Sequence, residues 1–170
     1  MAVEAIAGAG IEGTAETYIT QVERFKSDTD TNVNLVKTTI MIDLTGLQST
    51  AAGDIIGKNG AGIAYIAQVT TANQGVVFGV SMSCYETPAG GDPDINLHSA
   101  DEGTGVEDTA ISDLTETLII NGGDAAAGTR TAGGTIAADQ YLYLTAGATT
   151  DAAYTAGRLV IEILGYDVAS

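Results

Sequence analysis

In Asn34-Leu-Val-Lys-Thr-Thr-Ile-Met-Ile-Asp-Leu44, β-branched residues dominate and two sides separate cleanly. Val36, Thr38, Ile40, Ile42 and Leu44 form an apolar side. Leu35, Lys37, Thr39, Met41 and Asp43 form a wetter one. A period of two with high β-propensity predicts a half-buried strand. Outward from it the same pattern returns. Ile63 to Thr70 and Gln74 to Cys84 read as strands, with Asn73-Gln74-Gly75 as a tight hairpin between them. In the latter, Val76, Phe78, Val80, Met82 and Cys84 alternate with smaller or more polar residues, which puts all five on the core side. Asp113 to Ile120, Gln140 to Thr145 and Arg158 to Tyr166 complete the set. Gly-rich turns separate them, including Asn59-Gly60 and Asn121-Gly122. Strands at this spacing predict an all-β sandwich. The alternating amphipathic helices of an α/β fold are missing.

Two long connections interrupt the strands: Thr45 to Gly62, and Glu86 to Thr109 with both prolines and many acids. Loops of that length are expected to be functional or partner-facing. The N-terminal part differs again. Met1 to Gly13 is small and Gly-rich, and Ser27 to Asn32 is a polar hinge. Between them Ala15, Tyr18, Ile19, Val22 and Phe25 fit a helical stripe, while Thr17 to Val22 favours strand. Two units are therefore expected: an N-terminal arm, 1–31, and a β-sandwich domain, 32–170. The arm is expected to contact a neighbour through Tyr18, Ile19, Val22, Arg24, Phe25 and Lys26. The alternative is an edge strand of the same sandwich.

Composition narrows function. The chain has 170 residues, 6 basic and 22 acidic, for a formal net charge of −16. That balance opposes nucleic acid, which is bound by cationic side chains releasing counterions, and anionic membranes. No segment reaches the ~18 apolar residues of a membrane helix. Met1 to Gly10 lacks a basic region and carries Glu4, so no secretory signal is expected. The single Cys84 and single His98 leave no internal disulfide and little material for a metal or triad site.

The motifs that catch the eye fail on context. Gly8-Ala-Gly10-Ile-Glu-Gly13, with Asp28 downstream, has the dinucleotide spacing, but little precedes it and Glu12 would repel pyrophosphate. Gly53-Asp-Ile-Ile-Gly57-Lys58-Asn59 is too short for a phosphate loop and ends on Asn59 where a hydroxyl is needed. The Glu86 to Asp108 acids lack calcium-loop spacing and read as a solvated loop. Paired carboxylates for sugar hydrolysis would want aromatic walls, and Trp is absent. Cys84 reads as a packed core thiol and His98 as a loop residue at a surface or interface. No catalytic residue, metal or cofactor is expected.

Several linked segments carry a resemblance: Lys37 to Leu47, Ala52 to Gly57, Cys84-Tyr-Glu-Thr-Pro-Ala-Gly-Gly-Asp-Pro-Asp-Ile95, Glu102 to Asp108, Ala138 to Leu144, and Tyr154 to Tyr166. Across roughly residues 33–167 the chain resembles the small structural proteins encoded among the head genes of tailed bacteriophages. The resemblance implies a capsid decoration (cement) protein with a jelly-roll-like antiparallel β-sandwich. It also implies a non-catalytic role on the outer capsid surface of the virion, after synthesis in a host cytoplasm. The expected partners are the major capsid protein and further copies of the chain, as a trimer. The rival is a carbohydrate-binding or host-attachment module, since sandwiches host both. Tyr supplies 7 of its 9 aromatics, so a sugar platform would be built from Tyr.

Overall fold

A computed structural model describes residues 18–26 and 33–168. Its strands are β1 (Tyr18–Lys26), β2 (Val33–Asp43), β3 (Leu47–Gln48), β4 (Gly57–Lys58), β5 (Ala67–Gln68), β6 (Val76–Ala89), β7 (Ile95–Ala100), β8 (Glu116–Ile120), β9 (Arg130–Gly133), β10 (Tyr141–Ala146) and β11 (Ala156–Val168). One short helix, α1 (Thr71–Gln74), precedes β6. The first sheet runs β1-β2-β11-β6-β9, the second β5-β10-β7-β8, and β3 pairs only with β4. The ladders are antiparallel.

The protein is an all-β antiparallel sandwich. A single apolar core takes Ile40, Ile42, Met82 and Ile161 from the first sheet and Leu97, Ile120, Leu142 and Leu144 from the second. Fully burying a side chain of this kind contributes about 1.5–3 kcal/mol. β2 follows its sequence pattern: Val36, Thr38, Ile40 and Ile42 are buried, while Leu35 and Met41 are exposed.

β6 departs from its pattern. Cys84, Met82 and Val80 are buried as expected, but Val76 and Phe78 are exposed and Val77 is buried instead. The cause is a bulge. β11 pairs Leu164 with Gly79 and then Gly165 with Val77, so Phe78 has no opposite number and the alternation reverses phase there. The expected hairpin at Asn73-Gln74-Gly75 is also corrected. Those residues end α1, capped by the Thr70 side chain and by Gly75 at φ 67, and the chain passes from the second sheet to the first. Ile63 to Thr70 shortens to β5 and a bridge from Ile63 to Val106.

The acidic connection is not a loop throughout. β6 extends to Ala89, and β7 occupies Ile95–Ala100. The remainder covers the second sheet. Tyr143 lies between Leu142 and Leu144 on β10, and all three are buried. The Tyr143 hydroxyl donates to the Glu102 carbonyl at 2.8 Å and accepts from the Gly105 amide at 3.2 Å. The other connection and the segment that follows it line the edge of β10. The Ile56 amide donates to the Leu144 carbonyl and the Ile66 amide to the Leu142 carbonyl, each at 2.8 Å. Both long connections thus close and cover β10.

Candidate functional site

Several described side chains that could carry chemistry hold the fold together. Asp92 is buried. Its Oδ1 accepts from the Asp94 amide at 3.0 Å and its Oδ2 from the Ala148 amide at 2.6 Å. Its carbonyl accepts from the Tyr154 hydroxyl at 2.6 Å. Burial, and then the charges of Asp92 and Asp124, hold the Asp94 carboxyl above the usual carboxylate range. Glu102 binds the Thr115 amide and hydroxyl at 2.8 and 2.7 Å, which holds its carboxyl low. Glu107 accepts from the Gln48 amide at 2.9 Å. Among the described residues no three His, Cys, Asp or Glu side chains are grouped to hold a metal ion.

Cys84 and His98 sit on different sheets. The Cys84 thiol donates to the Glu86 carbonyl at 3.1 Å, and burial pushes it up from its ordinary pKa. His98, expected on a loop, is in β7, with Nδ1 2.7 Å from Glu116 Oε2. It became a strand residue because the flanking Leu97 and Ser99 are fully buried beside β10. Lys58 follows Gly57 in β4, and no helix begins there, so the phosphate-loop reading has no support. Gly8, Gly10 and Gly13 lie outside the described residues. Tyr65 and Tyr141 meet edge to face, with centroids 5.0 Å apart, and Tyr85 is 71% exposed.

The residues expected to contact a neighbour, Tyr18, Ile19, Val22, Arg24, Phe25 and Lys26, all lie in β1. β1 runs along β2 from Tyr18 opposite Ile42 to Lys26 opposite Asn34, the edge-strand alternative. It has β2 as its one neighbour in the sheet. Residues 1–17 and 27–32 of the expected arm and hinge lie outside the described residues.

The first sheet has a charge character unlike the rest. Its strands hold Arg24, Lys26, Lys37, Arg130 and Arg158 against Glu23, Asp43, Glu86, Glu162 and Asp167, five of each sign. On the described segments between these strands, Lys58 alone is set against twelve carboxylates. Antiparallel register builds the pairs. Glu162 on β11 meets Lys37 of β2 at 2.5 Å and Arg130 of β9 at 3.0 Å. Arg158 lies 3.4 Å from Asp43 and 3.5 Å from Glu86. Between these pairs the outward side shows Leu35, Met41, Val76, Phe78 and Leu164 to solvent. A sheet whose outward charges are paired and whose apolar side chains are exposed, on a strongly acidic body, is a surface suited to docking. Sequence reasoning missed it, because the charges that cancel are scattered from Lys37 to Glu162.

Compared with known protein families, curated proteins and solved structures, the chain matches none.

Proposed function

We propose that the protein is a non-catalytic virion component that decorates and stabilises a bacteriophage capsid by bridging capsid subunits. The observation that carries this reading is the neutral, partly apolar first sheet set on an acidic body. It supports a protein whose work is to hold surfaces together. Wiring supports the finer fold reading. With β1 and the β3–β4 ladder set aside, eight strands remain. They pair as first-eighth-third-sixth in one sheet and second-seventh-fourth-fifth in the other, which is the order two Greek keys of a jelly roll produce. The resemblance across residues 33–167 supports the capsid setting. In this reading copies associate as a trimer on the outer shell. β1, with Tyr18, Ile19, Val22, Arg24, Phe25 and Lys26, meets the major capsid protein along the edge opposite β2, and no cofactor takes part.

Mechanically, each copy buries surface between neighbouring capsid subunits, and many modest interfaces together resist internal pressure. Particles lacking the protein are expected to release DNA at lower temperature and under milder osmotic shock than complete ones. Equal survival overturns the reading. Copy number decides against the attachment alternative: a decoration protein is present in hundreds of copies per particle, an adhesin in tens.

A further inference from the structure

The bulge that turns Phe78 outward is held from behind. A Cβ on Gly165 would collide with the Gln74 carbonyl, and one on Gly75 with the Tyr166 carbonyl. α1 therefore packs backbone to backbone against Gly165 and Tyr166 of β11, across from the skipped position, and the Gln74 side chain, itself buried, donates to Thr38 Oγ1 at 3.4 Å. Without the bulge, plain alternation would carry Phe78 inward with Val80 and Met82. With it, Val76 and Phe78 each stand 50% exposed. Bulges commonly re-aim a side chain in this way.

Register makes the result contiguous. Tyr166 lies opposite Leu35 on one side and Val76 on the other. The Phe78 and Tyr166 rings are 6.4 Å apart, and Leu164 stands on the same strand beside the bulge. Three adjacent strands thus present one apolar patch at one end of the neutral sheet.

Charge selects what can cover it. A body of −16 repels another anionic body except where the facing surfaces carry charges that cancel. A cationic partner is drawn to the surfaces where twelve carboxylates face Lys58 alone. Two copies that approach through those surfaces repel within a Debye length of about 8 Å at physiological salt. Through the outward side of the first sheet each brings Lys37, Arg130 and Arg158 already paired with Glu162, Asp43 and Glu86, and apolar groups to bury.

We propose that the patch formed by Leu35, Val76, Phe78, Leu164 and Tyr166 is where one copy of this chain meets another. The inference deepens the reading above by giving its oligomer a surface, and its test needs no particles.

The test is sedimentation equilibrium of the full chain, with circular dichroism to report folding. Wild type is expected as a multimer of the 17.2 kDa chain, undiminished in about 1 M NaCl, where exposed ion pairs are screened. Phe78→Asp is expected to reduce it to single chains. Leu118→Asp, at a half-exposed position on β8 of the other sheet, is expected to leave it intact. Should Phe78→Asp fail to fold, the milder Leu35→Thr is expected to weaken association about tenfold or more. A monomeric wild type overturns the proposal. So does a multimer indifferent to both patch variants, or one that dissociates in high salt. If self-association holds but particles do not need the protein, the virion reading falls and this one stands.

Discussion

Gly165 lies against the backbone carbonyl of Gln74 so closely that a methyl group on its α-carbon would overlap that oxygen. The contact joins α1 to the central strand of the first sheet, at the point where β6 bulges. Gly165→Ala is therefore expected to destabilise the fold by about 1–3 kcal/mol, as overpacking does. For a chain of this size that lowers Tm by roughly 2–4 °C per kcal/mol. Gly134→Ala is the comparison, because nothing lies within 4 Å of the added carbon and no left-handed backbone is involved. Thermal unfolding of the two variants is expected to separate them clearly; equal melting would remove the close approach from the explanation of the bulge.

Tyr143 gives a second expectation. Burial, foremost, pushes its phenol up to about 12. A raised folded pKa means the stabilisation is complete below the unfolded value near 10 and is lost as pH rises toward the folded one. Stability should fall across that alkaline window. Tyr143→Phe should flatten the fall, and at neutral pH should cost about 1–3 kcal/mol by stranding the Gly105 amide. Urea titrations from neutral to alkaline pH would measure both.

Asp94 acts at the other end of the scale. Its carboxyl is raised by burial and by two neighbouring aspartates, and its Oδ1 is buried with no hydrogen-bond partner among the described residues. The strain is absent below the unfolded carboxylate pKa and grows as pH rises through the folded one. Asp94→Asn is thus expected to raise Tm at neutral pH, with the gain shrinking as pH falls toward about 4. A variant less stable than wild type at neutral pH would contradict this.

Cys84 supplies a chemical readout of the core. The thiolate is the reactive form, and here the thiol is buried and its pKa raised. Alkylation by iodoacetamide is expected to be at least about 100-fold slower in the native protein than in denaturant, since reaction awaits opening of the fold. Fast labelling of native protein would place the thiol at the surface.

How much of this was legible depended on whether a strand obeys its own periodicity. β2 did, because it shows one face to the core and one to solvent, and β11 did except at Val160, which is buried on the outward side. β10 was found at nearly its true bounds, but its burial on both faces was hidden: the cover over Tyr143 comes from residues around Gly105, far away in sequence. β7 was lost inside an acidic stretch. Its Asn96, His98 and Ser99 have little β-propensity, and tertiary pairing with β10 makes the strand. The phase reversal at Phe78 could not be read locally, since it shows only in the pairing of β6 with β11, at the shift between Leu164 and Gly165. The neutral sheet was likewise invisible along the chain. Lys37 and Glu162 cancel only after β2 and β11 lie side by side.

That adjacency sets the order of events in folding. Val33 pairs with Val168, and every β2–β11 contact spans more than a hundred residues. Such non-local ladders close late and slowly, because loop entropy is spent before any contact returns it. During synthesis, at about 5–20 residues per second, β2 and β6 must wait with their facing edges unpaired until β11 arrives to sit between them. The large negative charge is useful in this interval. It keeps unfinished chains apart by mutual repulsion, and the face on which Lys37, Arg130 and Arg158 meet their carboxylates is assembled only when β11 is in place.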